Sequence, residues 1–150
     1  MGLTTVKGLQ SEIYVPITPP PVWAEVTKEL KDMTVALVTA AGIHLKKDKR
    51  FNMAGDTSYR VVPNDSGTQN MMVSHGGYDN SDVNKDINCM FPVDRLNELV
   101  DEGFIKAAAV NHYTFMGGGG NQEVFTDETG PEIAEKLRTE CVDAVVLTGG

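Results

Sequence analysis

Cys141-Val142-Asp143-Ala144-Val145-Val146-Leu147-Thr148-Gly149-Gly150 is the stretch that decides the fold class. Val142 to Leu147 is a nearly continuous apolar run rich in β-branched residues, so it reads as a strand buried on both faces of a parallel sheet. Thr148-Gly149-Gly150 reads as the turn that leaves this strand. A parallel strand needs a crossover, and the segment before it supplies one. Thr129 or Asp127 caps a helix with Pro131 at its start and Ile133, Ala134 and Leu137 turned inward. In open α/β sheets the loops at the carboxyl ends of the strands are where ligands and reactive groups sit. The exit from this strand is therefore the first place to look for chemistry.

Working upstream, Phe104 to Val110 reads as another strand, with Asn111-His112-Tyr113-Thr114-Phe115-Met116-Gly117-Gly118-Gly119-Gly120-Asn121 as its exit. Asn111 and His112 put polar side chains there, and consecutive glycines can form a nest of backbone N–H groups for a carboxylate or oxyanion. The run lacks the Lys and Ser/Thr of a phosphate loop and the spacing of a dinucleotide fingerprint, which disfavours nucleotide binding and a flavodoxin-like redox domain. Pro92 opens a helix whose apolar face is Val93, Leu96, Leu99 and Val100 and which Gly103 ends. Met33 to Thr39 is the first clear buried strand, leaving through Ala40-Ala41-Gly42-Ile43-His44. Tyr59 to Pro63 is a further strand, followed by the turn residues Asn64 to Gly67. Alternation of strands and helices predicts an α/β domain over residues 33–150, an open and mostly parallel sheet with flanking helices, truncated after a core strand. Residues 1–32 read as a separate arm. Pro16, Pro19, Pro20 and Pro21 forbid a helix there, and Trp23, Val26 and Leu30 then give the spacing of a short one.

A hydrophobic share of 41% against 23% charged residues excludes general disorder. The formal net charge of −8 argues against wrapping on nucleic acid, which needs a basic face. No apolar run is long enough to span a bilayer and the first residues lack the pattern of a signal peptide, so a cytoplasmic location is expected. Cys89, Cys141, His44, His75 and His112 show no metal-ligand spacing, and Cys141 beside an apolar run reads as a buried packing thiol. Lys46 to Arg50 is the one basic cluster, a solvated loop or, more sharply, a subunit contact or anion site.

The central segment, Met71 to Met90, opens as a short strand and becomes a long polar loop carrying His75, Asp79, Asp82 and Asp86, and such a loop is functional or disordered. His75, directly before two glycines, is a candidate proton donor or acceptor. A histidine that only holds the loop together is the alternative. Asp79, Asp82 and Asp86 lack the helix-loop-helix setting and terminal Glu of a calcium loop.

These stretches carry a resemblance. MGLTTVKGLQSEIYVPITPPPVW, AGDTSYRVVPND, SHGGYDNSDVNKDINCMFPVDRL, FMGGGGNQ and DAVVLTGG together resemble the selenoprotein subunits of the glycine, sarcosine and betaine reductase family, to which the D-proline reductase subunit belongs. The resemblance runs over essentially all 150 residues. It implies a last strand and small-residue loop leading straight into a selenocysteine, followed after two residues by a cysteine. Because UGA encodes selenocysteine and is ordinarily a stop, the chain is expected to end just before its nucleophile, which would be residue 151.

The activity implied is reductive ring opening of D-proline to 5-aminovalerate in amino-acid fermentation, with electrons from a dithiol or redox protein. The implied partner is a subunit carrying a pyruvoyl group, which draws electrons from the α-carbon while the selenolate displaces nitrogen there; no cofactor is expected on this chain. A low-pKa nucleophile is best held at a strand-to-helix turn, which makes Thr148, Gly149 and Gly150 its flanking residues. Loop placement then nominates His75 for proton movement and Asn111, His112, Gly117, Gly118, Gly119 and Gly120 for the substrate carboxylate. Neither Cys89 nor Cys141 stands where the nucleophile belongs, so the chain alone is expected to be inactive. The alternatives are an α/β assembly module without chemistry of its own, or a glycine, sarcosine or betaine reductase subunit. A UGA codon after Gly150, with an open frame beyond, separates the first of these from the reductase reading.

Overall fold

A computed structural model describes residues 24–118 and 120–149. The proline-rich arm with Trp23, together with Gly119 and Gly150, lies outside the described residues. The centre of the molecule is β1 (Thr34–Thr39), whose last five residues are all buried. Its sequence, TVALVT, has no charge to keep wet, so neighbours cover it on both edges. On one edge β7 (Ala144–Thr148) runs parallel along Val35–Thr39. On the other, β5 (Ala107–Ala108) pairs with Thr34 and Val35, and β6 (Asn111–Phe115) with Val38 and Thr39, both parallel. Outside β6 lies β3 (Tyr59–Pro63), antiparallel. The expected open, mostly parallel α/β sheet is thus present, in the order β3, β6 with β5, β1, β7. A separate antiparallel pair, β2 (Ile43–Leu45) with β4 (Met71–Val73), packs beside it.

Alternation along β1 feeds two cores. Val35 and Leu37 face a core with Ile43, Val62, Phe91 and Leu96, under α1 (Val93–Asp101). Ala36 and Val38 face Tyr113, Ile133 and Leu137, under α3 (Gly130–Thr139). Val93 and Leu96 of α1 are buried as their spacing predicts, and Gly103 ends the helix at φ 71°.

Several expectations are corrected. The strand expected over Phe104–Val110 starts late, because the Phe104 and Ile105 N–H groups first close α1 by bonding the Leu99 carbonyl at 2.9 and 3.3 Å. It then breaks at Ala109–Val110, where the Val110 carbonyl accepts from Asn64 N–H at 2.9 Å, and resumes as β6. Asn111 to Phe115 is therefore strand and not exit loop. The terminal run does form a parallel strand, but it is an edge. Val145, Val146 and Leu147 are 39%, 43% and 76% exposed, since no described strand pairs with its free side. Cys141 is exposed, not buried: it occupies the left-handed position (φ 57°) of the tight turn between α3 and β7.

The helix expected to begin at Pro131 begins at α2 (Gln122–Val124), where the Asn121 side chain accepts from Glu123 N–H. It passes through a π-helical segment, Phe125–Thr129, into α3. Pro131 has no N–H for the preceding turn, and the wider turn, with Gly130 N–H on the Phe125 carbonyl, accommodates it inside the run. Finally, the helix expected near Val26 is, among the described residues, only a 3-10 turn at Leu30–Asp32, with Val26 and Leu30 exposed.

Candidate active site at the carboxyl edge of the sheet

The exits of β1, β6 and β7 are tied together by backbone. Ala40 N–H donates to the Thr148 carbonyl at 3.0 Å, Gly117 N–H to the Ala40 carbonyl at 3.0 Å, and Gly42 N–H to the Phe115 carbonyl at 2.9 Å. The hydroxyls of Thr39 and Thr148 both reach the Met90 carbonyl, at 3.2 and 2.6 Å. Gly42 sits at φ 69°, and a Cβ there would lie 2.4 Å from the Ser74 carbonyl oxygen. Only glycine lets the β1 exit pass this close to the end of β4.

His75 follows that contact and is 6% exposed. Its Nδ1 accepts the Gly77 N–H at 2.9 Å, so in the neutral ring the proton is on Nε2. Tyr78 packs against the ring with centroids 4.8 Å apart, and the Tyr78 hydroxyl donates to the Ala41 carbonyl. A Cβ on Gly118 would lie 3.7 Å from His75 Cε1 and 3.9 Å from Nε2, so the protonated side of the imidazole faces the glycine turn. Burial lowers its pKa and keeps it neutral at pH 7. A neutral imidazole with a fixed tautomer and one directed N–H is a hydrogen-bond donor to charge that develops beside it.

On the other side of the glycine turn lies a cleft of about 330 Å³, lined by Asp56, Thr57, Phe115, Met116, Gly117, Gly120, Asn121, Gln122 and Phe125. The Phe115 and Phe125 rings, with centroids 4.4 Å apart, give it apolar surface. Asp56 accepts N–H bonds from Asn52 and Ser58 at 2.9 Å and the Ser58 hydroxyl as well. Burial pushes its carboxyl up, but these bonds and the nearby Arg60 outweigh that and leave the pKa below the ordinary value. Asp56, Thr57, Phe115 and Phe125 escape a sequence reading because they come from distant segments. The one signal was the turn chemistry of Ala54-Gly55-Asp56-Thr57-Ser58.

The structure separates the nominated residues. His75, Gly117, Gly118 and Gly120 gather at the edge with Thr148 and Gly149. Asn111 and His112 do not: both open β6, at the far end of the strand. The Asn111 amide bonds Glu140 Oε1 at 3.1 Å. His112 is fully buried, taking the Leu37 N–H on Nδ1 at 3.1 Å and so donating Nε2–H to Asn64 Oδ1 at 2.9 Å. Burial pulls its pKa down to about 4, against a smaller opposing pull from Glu140. His44 is likewise a buried strut, donating from Nδ1 to the Leu45 carbonyl and accepting from Ser74 on Nε2. Asp79 and Asp86 cap local turns through Ser81 and Asn88, and Asp82 pairs with Lys85. In the basic cluster, the Lys46 ammonium is held by the Gln69 carbonyl at 2.7 Å.

A parallel sheet whose strand exits converge on a directed imidazole and a glycine turn defines an α/β domain with its candidate chemistry on the carboxyl edge. Residues 6–150 match the family model described as glycine/sarcosine/betaine reductase selenoprotein B, and the chain belongs to that family. Among its relatives, D-proline reductase subunit gamma of Acetoanaerobium sticklandii is 72% identical over 148 residues, covering 99% of this chain and 61% of that protein. Glycine reductase complex component B subunit gamma of Symbiobacterium thermophilum is 32% identical over 153 residues, 97% of this chain and 33% of that protein. Sarcosine reductase complex component B subunit beta of Peptoclostridium acidaminophilum is 31% identical over 155 residues, 95% and 35% respectively. The chain thus spans about three fifths of the first relative and about a third of the other two. No solved structure matches it significantly. Among the described residues no helix is long and apolar enough to cross a membrane.

Proposed function

We propose that the chain is the amino-terminal part of the selenoprotein subunit of a D-proline reductase. The observation that carries this is the step in identity, 72% to the D-proline reductase subunit against 28–33% to the glycine and sarcosine reductase subunits. In the reaction the bond between nitrogen and the α-carbon breaks. Two electrons and two protons from a dithiol, which leaves as a disulfide, turn D-proline into 5-aminovalerate. The reading assigns the nucleophile to a selenocysteine on the turn that follows β7, and the electron-withdrawing pyruvoyl group to a partner subunit.

What this chain's own residues do follows from the edge. The paired exits of β1 and β7 hold the nucleophile's turn in place through Thr39, Thr148 and the Met90 carbonyl. His75, protonated on Nε2 with that edge toward the glycine turn, donates a hydrogen bond to charge that develops there. Asn111 and His112 have no part at the edge; they hold β6. Residues 1–150 without a selenol turn over no D-proline, because Cys89 and Cys141 are on other turns.

The test is substrate choice by the full-length, selenium-containing subunit assembled with its partners. D-proline is expected to yield 5-aminovalerate while glycine and sarcosine are left untouched, and His75→Ala to cut turnover at least tenfold. Reduction of glycine or sarcosine with D-proline untouched overturns the assignment, and unchanged turnover in His75→Ala removes the role of His75.

A further inference from the structure

The cleft beside the glycine turn has a chemistry of its own. Among the described residues its lining holds one carboxylate, Asp56, and no cationic side chain. Its apolar surface is the Phe115 and Phe125 pair with Met116, and its remaining polar side chains are Thr57, Asn121 and Gln122. The wall is built to be tight: a Cβ on Gly120 would lie 2.9 Å from the Asp56 carbonyl oxygen. At about 330 Å³ the space is at the small end of ligand pockets, suited to a metabolite and not to a nucleotide or peptide.

A ligand that fits this lining has a cation to meet Asp56, a compact apolar body to lie on two phenyl rings, and an acceptor for amide N–H groups. That is a zwitterionic amino acid with a hydrocarbon ring. We propose that this cleft is the recognition site for a small cyclic amino acid, with the ammonium on Asp56, the ring methylenes against Phe115 and Phe125, and the carboxylate on the side-chain amides of Asn121 and Gln122. The inference deepens the reductase reading and rests on it for the choice of D-proline. The cleft opens at the exit of β6, two strands from the exit of β7. That is roughly 10 Å at ordinary strand spacing, a gap that about three extended residues cross. A turn following β7 can therefore reach a ligand seated there.

The experiment uses the full-length subunit in its assembled complex, with D-proline itself as the probe. Binding is read by NMR of phenylalanine-labelled protein, and turnover separately. D-proline is expected to shift the Phe115 and Phe125 resonances. Asp56→Asn is expected to raise KM for D-proline at least tenfold with kcat within about twofold, and Asp56→Glu to recover part of the loss. Gln122→Ala, on the exposed rim where the fold is not at stake, is expected to raise KM severalfold. Turnover of D-proline with no shift at either phenylalanine and unchanged KM in Asp56→Asn and Gln122→Ala overturns the site while leaving the function standing. Shifts at both rings in a complex that never reduces D-proline uphold the cleft and overturn the function.

Discussion

Thr39 and Thr148 stand directly opposite each other in the parallel register of β1 and β7, and their hydroxyls converge on one acceptor, the Met90 carbonyl. The two strand ends and the segment before α1 are thereby fixed at one point. Each hydroxyl bond of this kind contributes about 1 kcal/mol. Thr148→Val is expected to lower unfolding free energy by about that amount, with Thr148→Ser retaining most of it. Urea denaturation of the three proteins checks it, and equal stability of Val and wild type would show the clasp to be idle.

His112 makes stability depend on pH. Its pKa falls from 6.5 in the open chain to about 4 in the fold, so below pH 6.5 the unfolded state takes up the proton first. The sign follows: the contribution is complete above about pH 6.5 and is lost as pH falls towards 4, at up to about 1.4 kcal/mol per pH unit. His75, also lowered by burial, pulls in the same direction. Denaturation midpoints between pH 7 and pH 4.5 are expected to drop steeply in the wild type and less steeply in His112→Gln.

What the sequence made legible is what periodicity can carry. MTVALVT announces a central strand because nothing in it wants water, and Val93, Leu96, Leu99 and Val100 announce a helix face. The errors fall where a polar residue is buried with every ring or amide group satisfied. His44 and His112 look like loop residues, yet each sits in a strand with both ring nitrogens bonded, His44 to its neighbour Leu45 and to a partner 30 residues away, His112 to partners 48 and 75 away. Pattern alone also cannot tell an inner strand from an edge, so Val145 to Leu147 read as buried. The edge constellation was half visible: His75 before two glycines is a local cue, whereas its facing Gly118 is a contact between distant segments.

Two glycines separate backbone strain from crowding. Gly42 and Gly103 share the left-handed conformation, at φ 69° and 71°, but only Gly42 has a neighbour where a Cβ would go. Gly103→Ala is expected to cost about 1 kcal/mol, the left-handed penalty alone. Gly42→Ala adds a collision with the Ser74 carbonyl and is expected to cost clearly more, read as the larger fall in Tm.

Among the described residues nothing pairs with the outer side of β7, so its backbone, with Val145, Val146 and Leu147 beside it, is a template for association. Residues 1–150 produced alone are expected to self-associate with rising concentration in light scattering. Val146→Lys with Leu147→Lys is expected to suppress this without disturbing α1 or α3.

The most direct measurement of the central claim is peptide mass spectrometry of the native protein from cells that reduce D-proline. A selenium-bearing peptide that runs from β7 through Gly149 and Gly150 into selenocysteine is expected. A terminal peptide ending at Gly150, with no longer form present and D-proline still reduced, would contradict it.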